Sequence, residues 1–464
     1  MSLAAIEERL WLALLLLMPV SSSPLLPFGG GTLARPLAIV PAALLLGLAA
    51  WRMIALHQRP RLDPEGFVLL GLFTLYLVVS GLLIVMALPE TVFKGQTPLE
   101  SLLRALLTWA VGVSFYLVAR LRIRTRADID QTLRFLAIGM SASVAFAGLQ
   151  AVAMYQGGEM LQLVQQVTDL LAVHYDGLVT RAQGMTFEPS WLATQIILLL
   201  MPALLAGAMT GQGKAWQLVA GFGVALAGLL FSGSRFGLVG AVGMLLASGL
   251  IAALRGRLAA AAIFVGVLAT GGAGIAAMSN LGTGAGSTYF TAPLALLSGD
   301  ADLGAAAGAD PTGEVTDALT LAGRAAAGEA AARMWLAYPL FGVSLGNNYR
   351  FFGEYAPDWA FTTQLFTHGA KEGVGWLDAN SPEKGNAKNM FLRLLSETGL
   401  VGFLIAAIFL LRQIFRGRAR DEFHLYFRLA SAMALGFAFL NQDSFVDPCL
   451  WIPLALCFAF NHLE

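Results

Sequence analysis

Stretches of apolar residues, each close to the length needed to cross a lipid bilayer, recur about twelve times along the 464-residue chain. Hydrophobic residues make up 57% of the sequence and charged residues only 12%, which is more apolar surface than a soluble chain could cover. Because backbone groups in lipid must hydrogen-bond internally, such a chain crosses the membrane as helices. We therefore expect an all-α polytopic membrane protein, with spans near residues 10–28, 34–55, 66–88, 101–119, 132–154, 190–209, 215–232, 236–254, 258–278, 390–412, 425–442 and 447–462.

Basic residues in the connections between these stretches indicate the orientation. Short loops rich in lysine and arginine lie on the cytoplasmic side, and here such loops alternate with basic-poor ones, which predicts that both termini are cytoplasmic. The first stretch follows only a few charged residues and no small-residue cleavage motif, so we expect it to be a retained span. The basic residues are Arg52, Arg59, Arg61, Arg120, Arg122, Arg124, Arg126, Lys214, Arg255, Arg257, Arg412, Arg416, Arg418 and Arg420.

Two long connections that this orientation places on the non-cytoplasmic side of the membrane define the domains. Residues 1–278 are expected to form spans one to nine, interrupted by an outward connection at about 155–189. Residues 279–389 are expected to form a large outer domain, with an alanine-rich helix at 315–337 and many aromatic residues after it. Aromatic residues beside a bilayer suit either anchoring at the interface or stacking on sugars. Residues 390–464 are expected to form the last three spans.

Two arginines lie at outer ends of spans, where basic residues are normally rare. Arg181 precedes the sixth span, and Arg235 lies in the tight turn between the seventh and eighth. An outward arginine needs a partner, and its fixed charge and bidentate fork suit phosphate. Further polar residues mark outer ends, whereas the inner halves of the spans are almost wholly apolar, which predicts a cavity open to the outside rather than a pore. The polar residues at the outer ends of the spans are Thr186, Glu188, Ser190, Thr194, Ser232, Ser234, Asn389, Arg393, Glu397, Asn441, Gln442, Asp443 and Ser444.

Each candidate residue also has a purely structural interpretation. Arg393 and Glu397, four residues apart, would form an ion pair that locks the helices together. Arg235 would cap a hairpin turn and reach lipid headgroups, and Glu188 would only mark a helix start. Arg181 would be an ordinary loop charge, and Arg324, with Arg333, would lie on a solvated helix face. The sequence alone leaves these alternatives open.

Several function classes are disfavoured. The formal net charge is zero, so nucleic acid is not an expected partner. The five histidines and two cysteines show no zinc-ligand spacing, and no phosphate-binding glycine loop is present. We expect no metal ion and no cofactor.

Four short motifs resemble the superfamily of O-antigen ligases and Wzy-type polymerases, which are integral membrane glycosyltransferases acting on lipid-linked sugars. The motifs cover roughly residues 180–405. The Glu-Pro-Ser sequence in the first of them is the form associated with exopolysaccharide polymerases. The four motifs are Gly184–Ala193, Phe231–Gly237, Gly323-Arg324 followed by Pro339–Gly346, and Asn389–Gly402. The family's ligases usually carry histidine before the motif's asparagine, where this chain has Lys388, and this departure favours the polymerase.

The resemblance implies a polymerase that joins undecaprenyl-diphosphate-linked repeat units at the outer face of a bacterial inner membrane, with inversion and without a metal. Its partners would be that donor, an acceptor glycan, membrane lipid and a chain-length regulator protein. The implied site consists of catalytic Glu188, His368 and Lys388, diphosphate-binding Arg181, Arg235 and Arg324, and supporting Ser234, Asn389, Arg393 and Glu397.

The roles within this site are open at the sequence level. A protonated lysine cannot accept a proton, so Lys388 would bind phosphate unless its pKa were strongly depressed, and Glu188 or His368 would be the base. A ligase, transferring the same glycan to lipid A-core or to protein, is one alternative function. A flippase or exporter without catalytic activity is another, and it predicts polar groups at the membrane midplane.

Overall fold

The computed structural model describes residues 2–26, 34–57, 64–173, 181–280, 314–361, 375–378, 381, 384–419 and 421–462. Within these residues the secondary structure is helical, apart from two isolated β-bridges. The predicted all-α fold class is confirmed. The main helices are α1 (Leu3–Leu17), α2 (Ile39–Ala55), α3 (Pro64–Ala87), α4 (Pro98–Arg122), α5 (Arg126–Gln156), α6 (Gly158–Leu171), α7 (Pro189–Thr210), α8 (Ala215–Ser232), α9 (Arg235–Leu254), α10 (Leu258–Asn280), α11 (Glu314–Ala337), α12 (Met390–Phe415), α13 (Glu422–Asn441) and α14 (Pro448–His462).

Eight of these helices are long and apolar enough to cross a bilayer. They are α3, α4, α5, α7, α8, α9, α12 and α13, while α2, α10 and α14 are apolar but shorter. Each stretch expected from the sequence overlaps a helix. α1 ends at Leu17, well before the expected residue 28, because Pro19 has no N–H to continue the helical hydrogen bonds.

Local capping signals explain where the helices of the bundle begin. Thr97 and Thr125 each form a reciprocal capping box, with Glu100 at the start of α4 and with Asp128 at the start of α5. Asp421 accepts a hydrogen bond from the third residue of α13. These caps satisfy N–H groups that have no partner within the helix, and they fix the bundle's ends.

The basic connections meet at one end of the bundle, which we call the basic end. There the arginines bond to carboxylates from other helices or their caps, so the ends of separate helices are tied together. This agrees with the alternation seen in the sequence. The ion pairs are Arg52 and Arg122 with Glu7, Arg126 with Asp421, and Arg257 with Glu422.

The opposite end, which we call the site end, carries structure that hydropathy did not indicate. α6 lies within the connection expected at 155–189, and it follows α5 directly because Gly157 and Gly158 both adopt positive φ. α11 confirms the helix predicted at 315–337. Its buried alanine face packs on α12, where Gly328 lies beside Leu392.

α12 is interrupted at Gly399, where φ is 64° and ψ is −171°. The segment after α11 fills the break, since Val343 N–H donates to the Ser396 carbonyl (2.9 Å) and Leu400 N–H donates to the Pro339 carbonyl (2.8 Å). A Cβ atom at Gly399 would lie 2.3 Å from the backbone of Leu340, so only glycine fits. The interruption therefore depends on a tertiary contact.

Candidate functional site

The segment that carries Arg181 is held by side chains of the helix bundle. Ala182 N–H donates to the Phe231 carbonyl at the end of α8 (3.1 Å). The Gln150 side-chain oxygen accepts from the N–H groups of Gln183 (3.1 Å) and Gly184 (2.8 Å). The half-buried Arg181 is thus placed next to the turn between α8 and α9.

Arg235 is the first residue of α9, directly after that turn. Ser234 is the N-cap, and its hydroxyl accepts from Gly237 N–H (3.3 Å). The first turn of α9 is packed tightly on α7, because a Cβ atom at Gly237 would lie 2.4 Å from the Ala193 side chain. Ser234 therefore acts through the position of Arg235 rather than through a contact of its own.

Arg324 joins the outer helix α11 to the ends of two bundle helices. Its guanidinium donates to the side-chain oxygen of Asn441, at the end of α13 (2.6 Å). It also lies 5.8 Å from the ring centroid of Phe236, the neighbour of Arg235. The solvated-face alternative for Arg324 is therefore wrong, since the side chain bridges three elements.

Lys388 and Asn389 lie at the start of α12. Asn389 is the N-cap and accepts from Leu392 N–H (3.1 Å). Lys388 has a positive φ of 51°, which is uncommon for a residue with a side chain. Its N–H donates to the Asp443 carboxylate (3.1 Å), while its side chain is exposed. The backbone contact with Asp443 connects the start of α12 to the segment after Asn441.

Arg393 and Glu397 form the ion pair that their spacing allows. Arg393 Nε lies 3.0 Å from Glu397 Oε2, and the two side chains are 15% and 1% exposed. Arg393 also donates to the Asp443 carbonyl and lies 4.9 Å from the Phe445 ring centroid. The structure supports the structural interpretation of this pair, which holds the segment after α13 against α12.

Glu188 is the N-cap residue of α7, with Pro189 at the first helical position. Its side chain makes no capping bond and instead accepts from the Ser190 hydroxyl. The Glu188 side chain is half-buried and lies shortly after Arg181 in the sequence. It forms no hydrogen bond to the backbone N–H groups of its helix. His368, the other candidate base, lies outside the described residues.

The site residues thus form two groups that α13 and Arg324 connect. The first comprises Arg181, Glu188, Ser234 and Arg235, and the second comprises Lys388, Asn389, Arg393 and Glu397. Among the described residues, no hydrogen bond or ion pair joins the groups directly.

The electrostatics of this end favour an anion. α7, α9, α12 and α14 all begin here, and a helix N-terminus carries a partial positive charge with N–H groups pointing outward. Arg181 and Arg324 form no ion pair with any carboxylate in the described parts of the chain. Guanidinium groups beside helix N-termini are a suitable environment for phosphate oxygens.

A further basic cluster at this end was not expected from the sequence. Lys384 Nζ lies 4.9 Å from the Tyr349 ring centroid, and Arg350 lies 5.6 Å from the same ring. Burial and the nearby cations Arg104 and Arg350 lower the pKa of Lys384 to about 8. No local motif indicated this cluster, because its residues come from α4, from the segment after α11 and from the segment before α12.

Two glutamines were also missed. Gln150 holds the segment of Arg181, and Gln195 is fully buried in α7, directly before its π-helical turn at Ile196–Leu200. Both are isolated amides in apolar spans, and that pattern was the available signal, since polar groups at membrane depth are costly.

A scan against protein-family models finds no match to this chain, and a search of curated proteins finds no similar sequence.

Proposed function

We propose that this protein is an integral membrane glycosyltransferase that polymerises repeat units carried on undecaprenyl diphosphate. The observation that carries the proposal is the position of Arg324, which bonds to Asn441 and lies over Phe236, next to Arg235. A cation of the outer helix is thereby brought to helix ends that already carry a second arginine. This arrangement suits the diphosphate of a lipid-linked donor, whose lipid tail would extend between the helices into the bilayer.

The proposal includes a topology of twelve spans in a bacterial inner membrane. The four shorter or less apolar helices, α1, α2, α10 and α14, would cross together with the eight long ones. The basic end would face the cytoplasm and the site end the periplasm, in keeping with the distribution of lysine and arginine.

The reaction is a single displacement at the anomeric carbon of the donor sugar. The acceptor hydroxyl oxygen forms a bond to that carbon, and the bond from carbon to the diphosphate oxygen breaks with its electron pair. Undecaprenyl diphosphate leaves, and Arg181, Arg235 and Arg324 stabilise its developing charge. One such displacement inverts the configuration at the anomeric carbon.

Glu188 is the proposed acceptor of the hydroxyl proton. It has a carboxylate at the site end that does not cap its own helix, and its contact with Ser190 orients it. Lys388, whose side chain is exposed, is proposed instead to contact the diphosphate.

The decisive experiment incubates the purified protein in lipid vesicles with an undecaprenyl-diphosphate-linked repeat unit. Polymerase activity gives lipid-linked chains that lengthen by whole repeat units. Transfer only after addition of lipid A-core identifies a ligase. Movement of the donor between leaflets without any new glycosidic bond identifies a flippase, and either result overturns the proposal.

The orientation is tested with single cysteines at exposed positions. An impermeant thiol reagent added to intact cells should label Glu354→Cys, at the site end, and should not label Lys214→Cys, between α7 and α8. The native Cys449 and Cys457 are buried and give the background. Labelling of Lys214→Cys alone would invert the topology.

A further inference from the structure

The segment from Tyr338 to Gly346 belongs in sequence to the outer domain, but its contacts lie well inside the helix bundle. It fills the break in α12, where Val401 N–H donates to the Leu340 carbonyl (3.2 Å). Val401 is eleven residues after Met390, the first residue of α12. At the helical rise, this contact lies about 16 Å below the outer end of α12.

Two other helices give independent measures of this depth. Ser344 donates to the Gly81 carbonyl of α3 (3.4 Å), about 9 Å from the helix end at Ala87. Gly346 packs on α4, where a Cβ atom would lie 2.6 Å from the Ala105 side chain, about 10 Å from Pro98. Three helices therefore agree that the segment is inserted among them.

Insertion among the helices buries Val343 and Leu345, but it leaves other apolar side chains of the segment and of the adjoining end of α11 exposed. Leu336, Leu340 and Phe341 are 70%, 55% and 54% exposed. Next to them on α12 lie Leu400 and Leu404, which are exposed as well and belong to a span. At this depth the surroundings of a span are lipid, and irregular backbone is tolerated because its polar groups bond to α12.

We propose that residues 338–346, with the adjoining end of α11, form a re-entrant segment whose exposed side chains Leu336, Leu340 and Phe341 contact the acyl chains of the outer leaflet. The segment anchors the outer domain in the membrane, beyond the attachment given by the spans on either side of it. Since α11 (Glu314–Ala337) ends directly before Tyr338, the anchor also fixes one end of the helix that carries Arg324. The proposal concerns lipid contact alone, so it stands or falls separately from the catalytic one.

The test is the accessibility of a nitroxide spin label attached at Phe341→Cys, with Leu340→Cys as a second position. The full-length protein is reconstituted in phosphatidylglycerol and phosphatidylethanolamine vesicles. Leu404→Cys, on the exposed face of a span, is the lipid-facing control, and Glu354→Cys, exposed on the outer domain, is the water-facing control.

We expect oxygen, which concentrates in lipid, to relax the label at positions 340 and 341 as strongly as at 404. A water-soluble nickel chelate should relax it at 354 only. Strong relaxation by the nickel chelate at 340 and 341 would overturn the proposal, because those side chains would then face water. Weak relaxation by both reagents would also overturn it, because the face would then be covered by protein.

Discussion

The two ends of the helix bundle both carry arginines, but they balance that charge differently. At the basic end, Arg52, Arg126 and Arg257 bond to carboxylates from other helices or their caps, so positive charge is compensated within the protein. At the site end, Arg324 bonds to a neutral amide, and Arg181 forms no ion pair within the described residues. Arginines thus tie helices together at the basic end, whereas at the site end Arg393 pairs with a neighbouring carboxylate, and Arg181 and Arg324 carry the charge that the proposed diphosphate would meet.

The largest effect is expected at Glu188, the only group at the site end to which we assign proton transfer. Glu188→Gln should lower the rate of chain growth by roughly 10²–10⁴-fold, because loss of a general base costs that much. Rates are measured in vesicles at equal amounts of folded protein. Ser190→Ala, which removes only the hydroxyl that contacts the carboxylate, should have a much smaller effect.

His368→Ala tests, in the same assay, whether His368 is the general base instead of Glu188. A normal rate from Glu188→Gln combined with a large loss from His368→Ala would move the base to the outer domain. Normal rates from both variants would mean that chain growth needs neither group as a base.

The next effect is expected at Arg324. Arg324→Ala should slow chain growth by about 10²–10³-fold, since removal of one donor to a developing negative charge has that cost. Arg333→Ala is the matched control on the same helix, where Arg333 is exposed and pairs with Glu329. Equal rates for the two variants would remove Arg324 from the site and leave it as a bridge between helices.

A change at the basic end should affect stability and leave catalysis intact. Arg257→Ala removes bonds to the Met209 carbonyl and to Glu422, so the thermal unfolding temperature should fall slightly. The turnover of the remaining folded protein should change by less than about twofold, because this partly exposed pair contributes little to stability and lies at the end opposite the site. A large loss of turnover without loss of folded protein would mean that the arginines of the basic end also act in catalysis, which contradicts the comparison.

The smallest effect is a shift in the titration of Lys384, and it tests the excess of positive charge at the site end. Burial and the nearby Arg104 and Arg350 lower the pKa of this lysine to about 8. Its acetylation rate should therefore reach half of its maximum near pH 8, about two pH units below an ordinary lysine. Arg104→Ala removes a like charge, so the midpoint should rise. An unchanged midpoint would mean that Arg104 does not act on Lys384.

Hydropathy predicted the helices well because each long apolar stretch must satisfy its own backbone in lipid. It failed where tertiary contacts decide. The break at Gly399 exists because Pro339 and Leu340 supply bonds to the α12 backbone, and no local pattern in α12 reveals them. α6 was missed because its 14 residues are fewer than a span needs and polar residues interrupt its apolar ones.

The candidate site was predictable in its residues and less so in their roles. Ser234 and Asn389 are helix caps, and their hydrogen bonds to the backbone explain them without a ligand. The pairing of Arg393 with Glu397 followed from spacing, whereas the contact of Arg324 with Asn441 joins positions far apart in the chain. Sequence spacing can predict a contact within one helix, but it carries no information about which helix ends meet.

The central claim is that the site end holds a diphosphate through its arginines, and direct binding tests it. Undecaprenyl diphosphate is titrated into the protein in lipid nanodiscs by calorimetry, with undecaprenol as the uncharged control. The account predicts that Arg324→Ala weakens binding at least about tenfold, since a hydrogen bond to a charged group contributes about 1.5–3 kcal/mol. Arg418→Ala, an exposed change at the basic end, should bind as the unmodified protein does. Equal affinity of the unmodified protein and of the combined Arg181→Ala, Arg235→Ala and Arg324→Ala variant would contradict the claim.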